Sequence, residues 1–438
     1  MISSLIFILI FFSAFGFFLF RVIKIRRNIL LGTDAQLEET VSQRIFTMLC
    51  VAFGQSKMTA RPVAFFLHLF VYTAFLFTQI ELLEIIIDGV SGGHRTIWHW
   101  IENSAIAITY TILINAIELL SILAFFATIA FISRRNIIRL ARFQKPEMKG
   151  WPSLDANLIL SGELFLILSI MLMNSADVAL QHMGQSQSTG KFLISNLIAP
   201  VWQNTDSATL HILERVGWWG HLIGILGFMV YLPFSKHFHI LLAFPNTFFT
   251  NQKSKGKFTN LAAVTSEVKL MLDPTLPPPD ANAPLPKFGA KDVQHLTWKN
   301  LMDAYTCTEC GRCTSVCPAN LTGKKLSPRK IMMDTRDRLE EVGKNIDKHG
   351  KDYLDNKSLL DRISEEELWA CTSCNACVQA CPVNINPLEI ILELRRDLVM
   401  EQSKAPSSLN AMFSNIENNA APWQFSPMDR ANWTQEMN

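Results

Sequence analysis

The chain has 438 residues and a formal net charge of only +2, and 49% of its residues are hydrophobic. With acidic and basic residues balanced, an extended basic surface of the nucleic-acid-binding kind is excluded. Composition is also uneven: Met1 to about Phe234 is dominated by long runs of Phe, Leu, Ile and Ala, whereas the part from Ser235 onward is polar. The first part reads as membrane-embedded and the second as water-soluble.

Five apolar stretches are long enough to cross a bilayer as helices: Ile2–Phe20, Val63–Ile87, Ala105–Ile132, Asn157–Ala176 and Val216–Phe234. The first lacks a basic start and is followed by Arg21, Lys24, Arg26 and Arg27, so it reads as a retained span rather than a signal peptide. Basic residues crowd the loop after the first span and the loop carrying Arg134, Arg135, Arg139, Arg142, Lys145 and Lys149. The other two loops hold only Arg95, Lys191 and, at the very edge of the fifth span, Arg215. By the positive-inside rule the crowded loops face the cytoplasm of a cell whose inner membrane the protein spans, with the N-terminus outside and everything after Phe234 inside.

The fold class expected is all-α, a five-helix transmembrane bundle over residues 1–245 followed by an α-helical ferredoxin domain over 291–402. A Pro-rich linker over 246–290 separates them, and a tail runs over 403–438. Helical patterning in the soluble part falls at Pro328–Leu339, Tyr353–Ile363 and Pro387–Met400.

Eight of the nine cysteines form two runs, Cys307-x2-Cys310-x2-Cys313-x3-Cys317-Pro and Cys371-x2-Cys374-x2-Cys377-x3-Cys381-Pro. In such a run three close thiolates wrap one face of a [4Fe-4S] cubane and the fourth serves the other cluster. Cys307, Cys310, Cys313 and Cys381 are therefore assigned to one cluster, and Cys371, Cys374, Cys377 and Cys317 to the other. The competing reading is a pair of zinc sites, although zinc sites are built from pairs of cysteines rather than quartets ending in Cys-Pro. Cys50 stands alone and reads as a small hydrophobe. The helical stretch between the runs resembles the α-helical ferredoxin domain of succinate dehydrogenase iron-sulfur subunits and heterodisulfide reductases.

Histidines inside a bilayer are functional candidates. His68 lies two turns into the second span, at a depth similar to His239, so the two could hold one haem b from opposite sides. On a continuous helix His221 and His239 share a face about 27 Å apart and His237 points away from it, which suits one ligand each for two haems. Glu81, Glu84, Glu118 and Glu163 are the intramembrane carboxylates available for proton exchange with a quinone.

The stretch from His221 to His239, with its Leu232-Pro-Phe-Ser-Lys sequence, resembles the last helix of the γ subunit of respiratory nitrate reductase. That resemblance implies His221 and His239 as haem ligands with His68 as partner, and departs near Thr78, where no second histidine stands. The cysteine half, with Glu367-Leu-Trp-Ala-Cys371 and Leu394-Arg-Arg-Asp, resembles membrane heterodisulfide reductase-like oxidoreductases, without their Cys-Cys-Gly domain. The implied function is electron transfer between the quinone pool and a cytoplasmic partner through one or two haem b groups and two clusters. The implied partners are membrane lipid and quinone, together with a separate Cys-Cys-Gly catalytic subunit or an electron-transfer flavoprotein, docked through Pro422–Trp433. A membrane redox sensor and a haem-free membrane-anchored ferredoxin are the alternatives.

Overall fold

The computed structural model describes residues 2–251, 256–277 and 287–436. Five of its helices are long and apolar enough to span a membrane: α1 Ile2–Ile29, α3 Pro62–Ser91, α5 Ile106–Asn136, α6 Trp151–His182 and α8 Ser207–Tyr231, the last prolonged by a 3-10 turn to Phe234. Each overruns its expected bounds, because intrahelical bonding continues past the apolar core into the polar boundary. Short helices α2 (Val41–Met48), α4 (Thr96–Ile101) and α7 (Leu193–Ile198) fill the connections. Among the described residues there is no strand, only an isolated bridge between Thr33 and Thr297.

The bundle is drawn together by small residues. A Cβ on Gly217 of α8 would lie 2.6 Å from the backbone nitrogen of Met173 on α6, and one on Gly224 would lie 2.7 Å from the Leu166 side chain. In lipid, where the hydrophobic effect gives helices no reason to associate, such close backbone approach supplies the dispersion contact that holds them.

The last span does not run on to His239. Pro233 lacks an amide proton, so the chain leaves α8 through two 3-10 turns, Leu232–Phe234 and Lys236–Phe238, with Ser235 extended between them (φ −114°, ψ 152°). Helix α9 (His239–Phe248) starts afresh. The expectation that His221 and His239 share one continuous helical face, with His237 opposite, is thereby overturned.

After α10 (Ala262–Leu272) come α11 (Trp298–Thr306), α12 (Arg312–Ser315), α13 (Pro318–Leu321) and α14 (Pro328–His349). They are followed by α15 (Glu365–Trp369), α16 (Ala376–Ala380), α17 (Pro387–Arg396) and α18 (Ser407–Asn419). The segment 246–290, expected to be a linker, contains the end of α9 and all of α10; its prolines at 278, 279, 284 and 286 lie outside the described residues.

Tyr353–Ile363 is not a helix, contrary to its patterning; only the turn Leu359–Asp361 forms. Asp355 is taken up by Arg338 at 2.6 and 2.8 Å and by Asn345 at 2.8 Å, and Asn356 adopts a left-handed φ of 56°. That charge-assisted fork outweighs the modest helix propensity of the segment. Pro387–Met400 is helical as expected but ends in a π turn at Asp397–Glu401.

The two halves share one core. Ile25 and Ile29 of α1, with Leu232 and Phe238 of the turns after α8, pack into the same cluster as Leu301, Ile331, Leu339, Ile390 and Leu394. Around it, Asn28 donates to the Tyr305 hydroxyl at 3.0 Å, Lys24 pairs with Asp347 at 2.7 Å, and the fully buried Arg329 pairs with Glu147 at 2.7 Å.

Two outcomes test this packing. Gly217→Val destabilises the protein by about 1–3 kcal/mol through the forced α6–α8 separation, whereas Gly227→Ala, with no neighbour within 4 Å, is neutral or slightly stabilising; thermal unfolding in detergent measures both. Hydrogen bonding to Arg338 holds the Asp355 carboxyl down at about 2. A depressed carboxylate stabilises the fold above its unfolded pKa and loses that contribution as pH falls through the folded value. The thermal midpoint of Asp355→Asn therefore falls below that of the parent near pH 6, and the gap closes as the pH approaches about 2.

Candidate redox centres

Both cysteine runs fold as tight loops whose bends repeat. Two and four residues after the first cysteine of each run the backbone is left-handed: Glu309 (φ 55°) and Gly311 (φ 71°) in one, Ser373 (φ 55°) and Asn375 (φ 59°) in the other. These bends turn backbone amides toward sulfur. The Ser373 amide donates to Cys371 Sγ at 3.4 Å and the Ile385 amide to Cys381 Sγ at 3.3 Å. Donors of this kind stabilise thiolates and tune the potentials of iron–sulfur clusters.

Cys317 lines one cavity with Cys371, Cys374 and Cys377, walled by Pro318, Leu326, Pro328, Leu388 and Ile391. Cys381 lies instead with Cys307, Cys310 and Cys313, close enough to interact electrostatically. The last cysteine of each run thus stands with the other run's first three. Burial pushes the Cys307 and Cys377 thiols up to about 12 and Cys381 to about 11, with neighbouring sulfurs adding to the effect. At neutral pH these groups hold protons that an incoming iron centre displaces. In the first quartet Cys307 and Cys381 are buried and Cys310 and Cys313 half-buried, whereas Cys374 of the second is exposed.

The first quartet is anchored to the membrane half by contacts the sequence did not signal. Glu309, between Cys307 and Cys310, is 3% exposed and forms an ion pair with Lys236 of the turn before α9 and another with Arg336 at 2.9 Å. Lys57 Nζ donates to the Cys381 carbonyl at 3.2 Å, Arg312 donates to the Lys57 carbonyl at 3.2 Å, and Arg61 donates to Ser315 at 2.5 Å. Only a buried charge within a cysteine loop could have pointed to such a role, and burial is not legible in one sequence.

Beside this junction the structure brings His68 within electrostatic range of His239 and of Arg312. His239 Nδ1–H donates to the Lys236 carbonyl at 3.2 Å, which leaves Nε2 free as a ligand. His237 does not point away: its ring centroid is 5.4 Å from that of His239 and 5.1 Å from that of Phe228. The Tyr72 hydroxyl, one turn from His68, is buried with no hydrogen-bond partner.

His221 stands apart, its Nδ1–H donating to the Leu166 carbonyl at 2.9 Å, with Glu81 as its charged neighbour. Thr78 bonds its own helix, at the Phe75 carbonyl. The intramembrane carboxylates are all engaged. Arg95 donates to Glu81 at 3.5 Å and Glu84 at 3.2 Å, Tyr110 donates to Glu84 at 2.5 Å, Glu118 accepts from Ser195, and Glu163 accepts from Thr128 at 3.2 Å.

The family model of the 4Fe-4S dicluster domain matches residues 306–385. The chain is 28% identical, over 99% of its length and 61% of the relative's, to the probable iron-sulfur-binding oxidoreductase FadF of Bacillus subtilis. It is 24% identical, over 91% of its length and 55% of the relative's, to the EtfAB:quinone oxidoreductase of Syntrophomonas wolfei. Over 44% of its length and 29% of the relative's it is 30% identical to a probable membrane-anchored ferredoxin of Chromohalobacter salexigens. The chain thus spans about 60% of the length of the first two. No solved structure matches. The relatives it matches are named as iron-sulfur oxidoreductases, among them a quinone oxidoreductase and heterodisulfide reductase subunits, and the family model supports 4Fe-4S binding by residues 306–385.

Proposed function

We propose that this protein carries electrons between the quinone pool and a redox partner on the cytoplasmic side of the inner membrane, through haem b and two [4Fe-4S] clusters. One observation carries the reading: His68 stands within electrostatic range of both His239 and Arg312, the latter inside the loop of the first cysteine quartet, while the other quartet reaches the surface at Cys374. When bound, haem and clusters supply one-electron sites at successive depths. Cys307, Cys310, Cys313 and Cys381 hold the inner cluster, Cys371, Cys374, Cys377 and Cys317 the outer one, and His68 with His239 the haem. The residues fit these groups: each quartet receives an amide donor, the second lines a cavity, and His239 presents a free Nε2. His221 is the ligand available for a second haem, and no other histidine stands beside it among the contacts described.

The arginine-rich loops support an orientation with the cysteine domain on the cytoplasmic side. The partner is a separate Cys-Cys-Gly catalytic subunit or an electron-transfer flavoprotein; the relative from Syntrophomonas wolfei, named for EtfAB and quinone, supports the second. The tail, where Phe425, Met428 and Trp433 are exposed, is the segment offered for docking.

Cys317→Ser should disrupt the cluster held with Cys371, Cys374 and Cys377 and spare the other. Iron analysis and electron paramagnetic resonance check this, and loss of the Cys307 cluster alone contradicts the crossed assignment. His68→Ala or His239→Ala should abolish a b-type absorbance while about eight irons per chain remain. His237→Ala should keep the band with a shifted potential, since it touches His239.

A further inference from the structure

On the membrane face nearest the cysteine domain, between the start of α3 and the end of α5, lies an open cavity of about 420 Å³, large enough for a ligand fragment. Arg61, Arg134 and Arg142 line it, together with Pro62, Val63, Ala64, Leu140 and Ala141. Among the described residues none of these three arginines forms an ion pair with a carboxylate. Arg61 reaches only Ser315, at 2.5 Å, and Arg142 Nε is buried without a hydrogen-bond partner. Arg142 is held at about 10, first by burial and then by the facing charges of Arg61, Arg134 and Arg312, an effect the sulfur of Cys310 partly offsets.

The same cavity receives the start of α3. Arg61 is its N-cap residue and makes no side-chain cap, so the first-turn amides and the positive end of a 30-residue helix add to the field. Like charges gathered around an open space are favourable only when an anion occupies it.

The apolar surroundings of the cavity say which anion. Val63 of its lining is 60% exposed; outside the lining, Phe66 one turn further along α3 is 54% exposed, and Ile137 and Ile138, just past the end of α5, are 76% and 62% exposed. The cavity therefore opens where lipid-facing side chains give way to arginine. A soluble anion needs no such apolar wall, whereas an amphiphile lays its chains along it.

We propose that this cavity binds the phosphate headgroup of an anionic phospholipid, with Arg61, Arg134, Arg142 and the α3 N-terminus taking the phosphate and Val63, Phe66, Ile137 and Ile138 lying against the acyl chains. The inference does not depend on the redox reading. Its site adjoins the junction with the cysteine domain, because Arg61 bonds Ser315 in α12 and the Arg142 carbonyl accepts from Arg329 at 2.7 Å. Lipid held there steadies the seam between the halves.

The test uses the full chain, delipidated in neutral detergent. Native mass spectrometry and thermal unfolding follow the titration with phosphatidylglycerol, with phosphatidylcholine or with inorganic phosphate. The expected result is retention and thermal stabilisation by phosphatidylglycerol alone. Binding should weaken roughly five-fold for each of Arg61, Arg134 and Arg142 replaced by Gln, and remain unchanged in Arg139→Gln, an exposed neighbour outside the cavity. Equal stabilisation by phosphatidylcholine, or equal binding of inorganic phosphate, overturns the proposal. So does loss of b-type absorbance with unaltered lipid binding in the arginine variants, which assigns these charges to haem carboxylates instead.

Discussion

Everything in this structure turns on burying charge where a membrane domain meets a water-soluble one. Glu309 sits inside a cysteine loop with almost no exposure, and Lys236 reaches it from the turn that ends the last span. Two charges taken out of water gain little over apolar residues of the same volume, yet removing one strands the other at a cost of about 3–5 kcal/mol. Such a pair specifies more than it stabilises: it allows one docking of the cysteine loop on the bundle. Arg336 at 2.9 Å and the Lys57 contact to the Cys381 carbonyl at 3.2 Å complete the same seam.

That seam fixes how the candidate redox residues stand to one another. Lys236 provides the carbonyl that orients His239, and its side chain holds the loop of the first quartet, so one residue relates histidine to cysteine. The shared core of Ile25, Ile29, Leu232 and Phe238 with the cysteine domain makes the relation rigid. Electron transfer between fixed centres gains from rigidity, because each change in separation alters the coupling. In the proposed scheme the second quartet meets the partner at Cys374, its one exposed member.

Much of this was legible in the sequence, because the strongest signals were chemical. Uninterrupted apolar runs gave the five spans, since a backbone in lipid has few alternatives to helix. The two cysteine runs announced themselves by spacing, and Cys317 lines a cavity with Cys371, Cys374 and Cys377 while Cys381 lies within electrostatic range of the other three; that each set holds a cluster is the proposal. What failed rested on regularity. The His221–His239 phase assumed a straight helix through Pro233, and the Tyr353–Ile363 periodicity ignored what Arg338 does to Asp355. The Lys236–Glu309 pair and the arginine-lined cavity were invisible because they join residues far apart in the chain.

The most direct measurement of the central claim reduces the purified full-length protein anaerobically with dithionite and then adds a water-soluble quinone. Visible spectroscopy follows a b-type haem and electron paramagnetic resonance follows the clusters. The account predicts that haem and clusters are both present and both reoxidised by the quinone. A protein with full clusters and no b-type band, or with clusters that stay reduced in excess quinone, contradicts it.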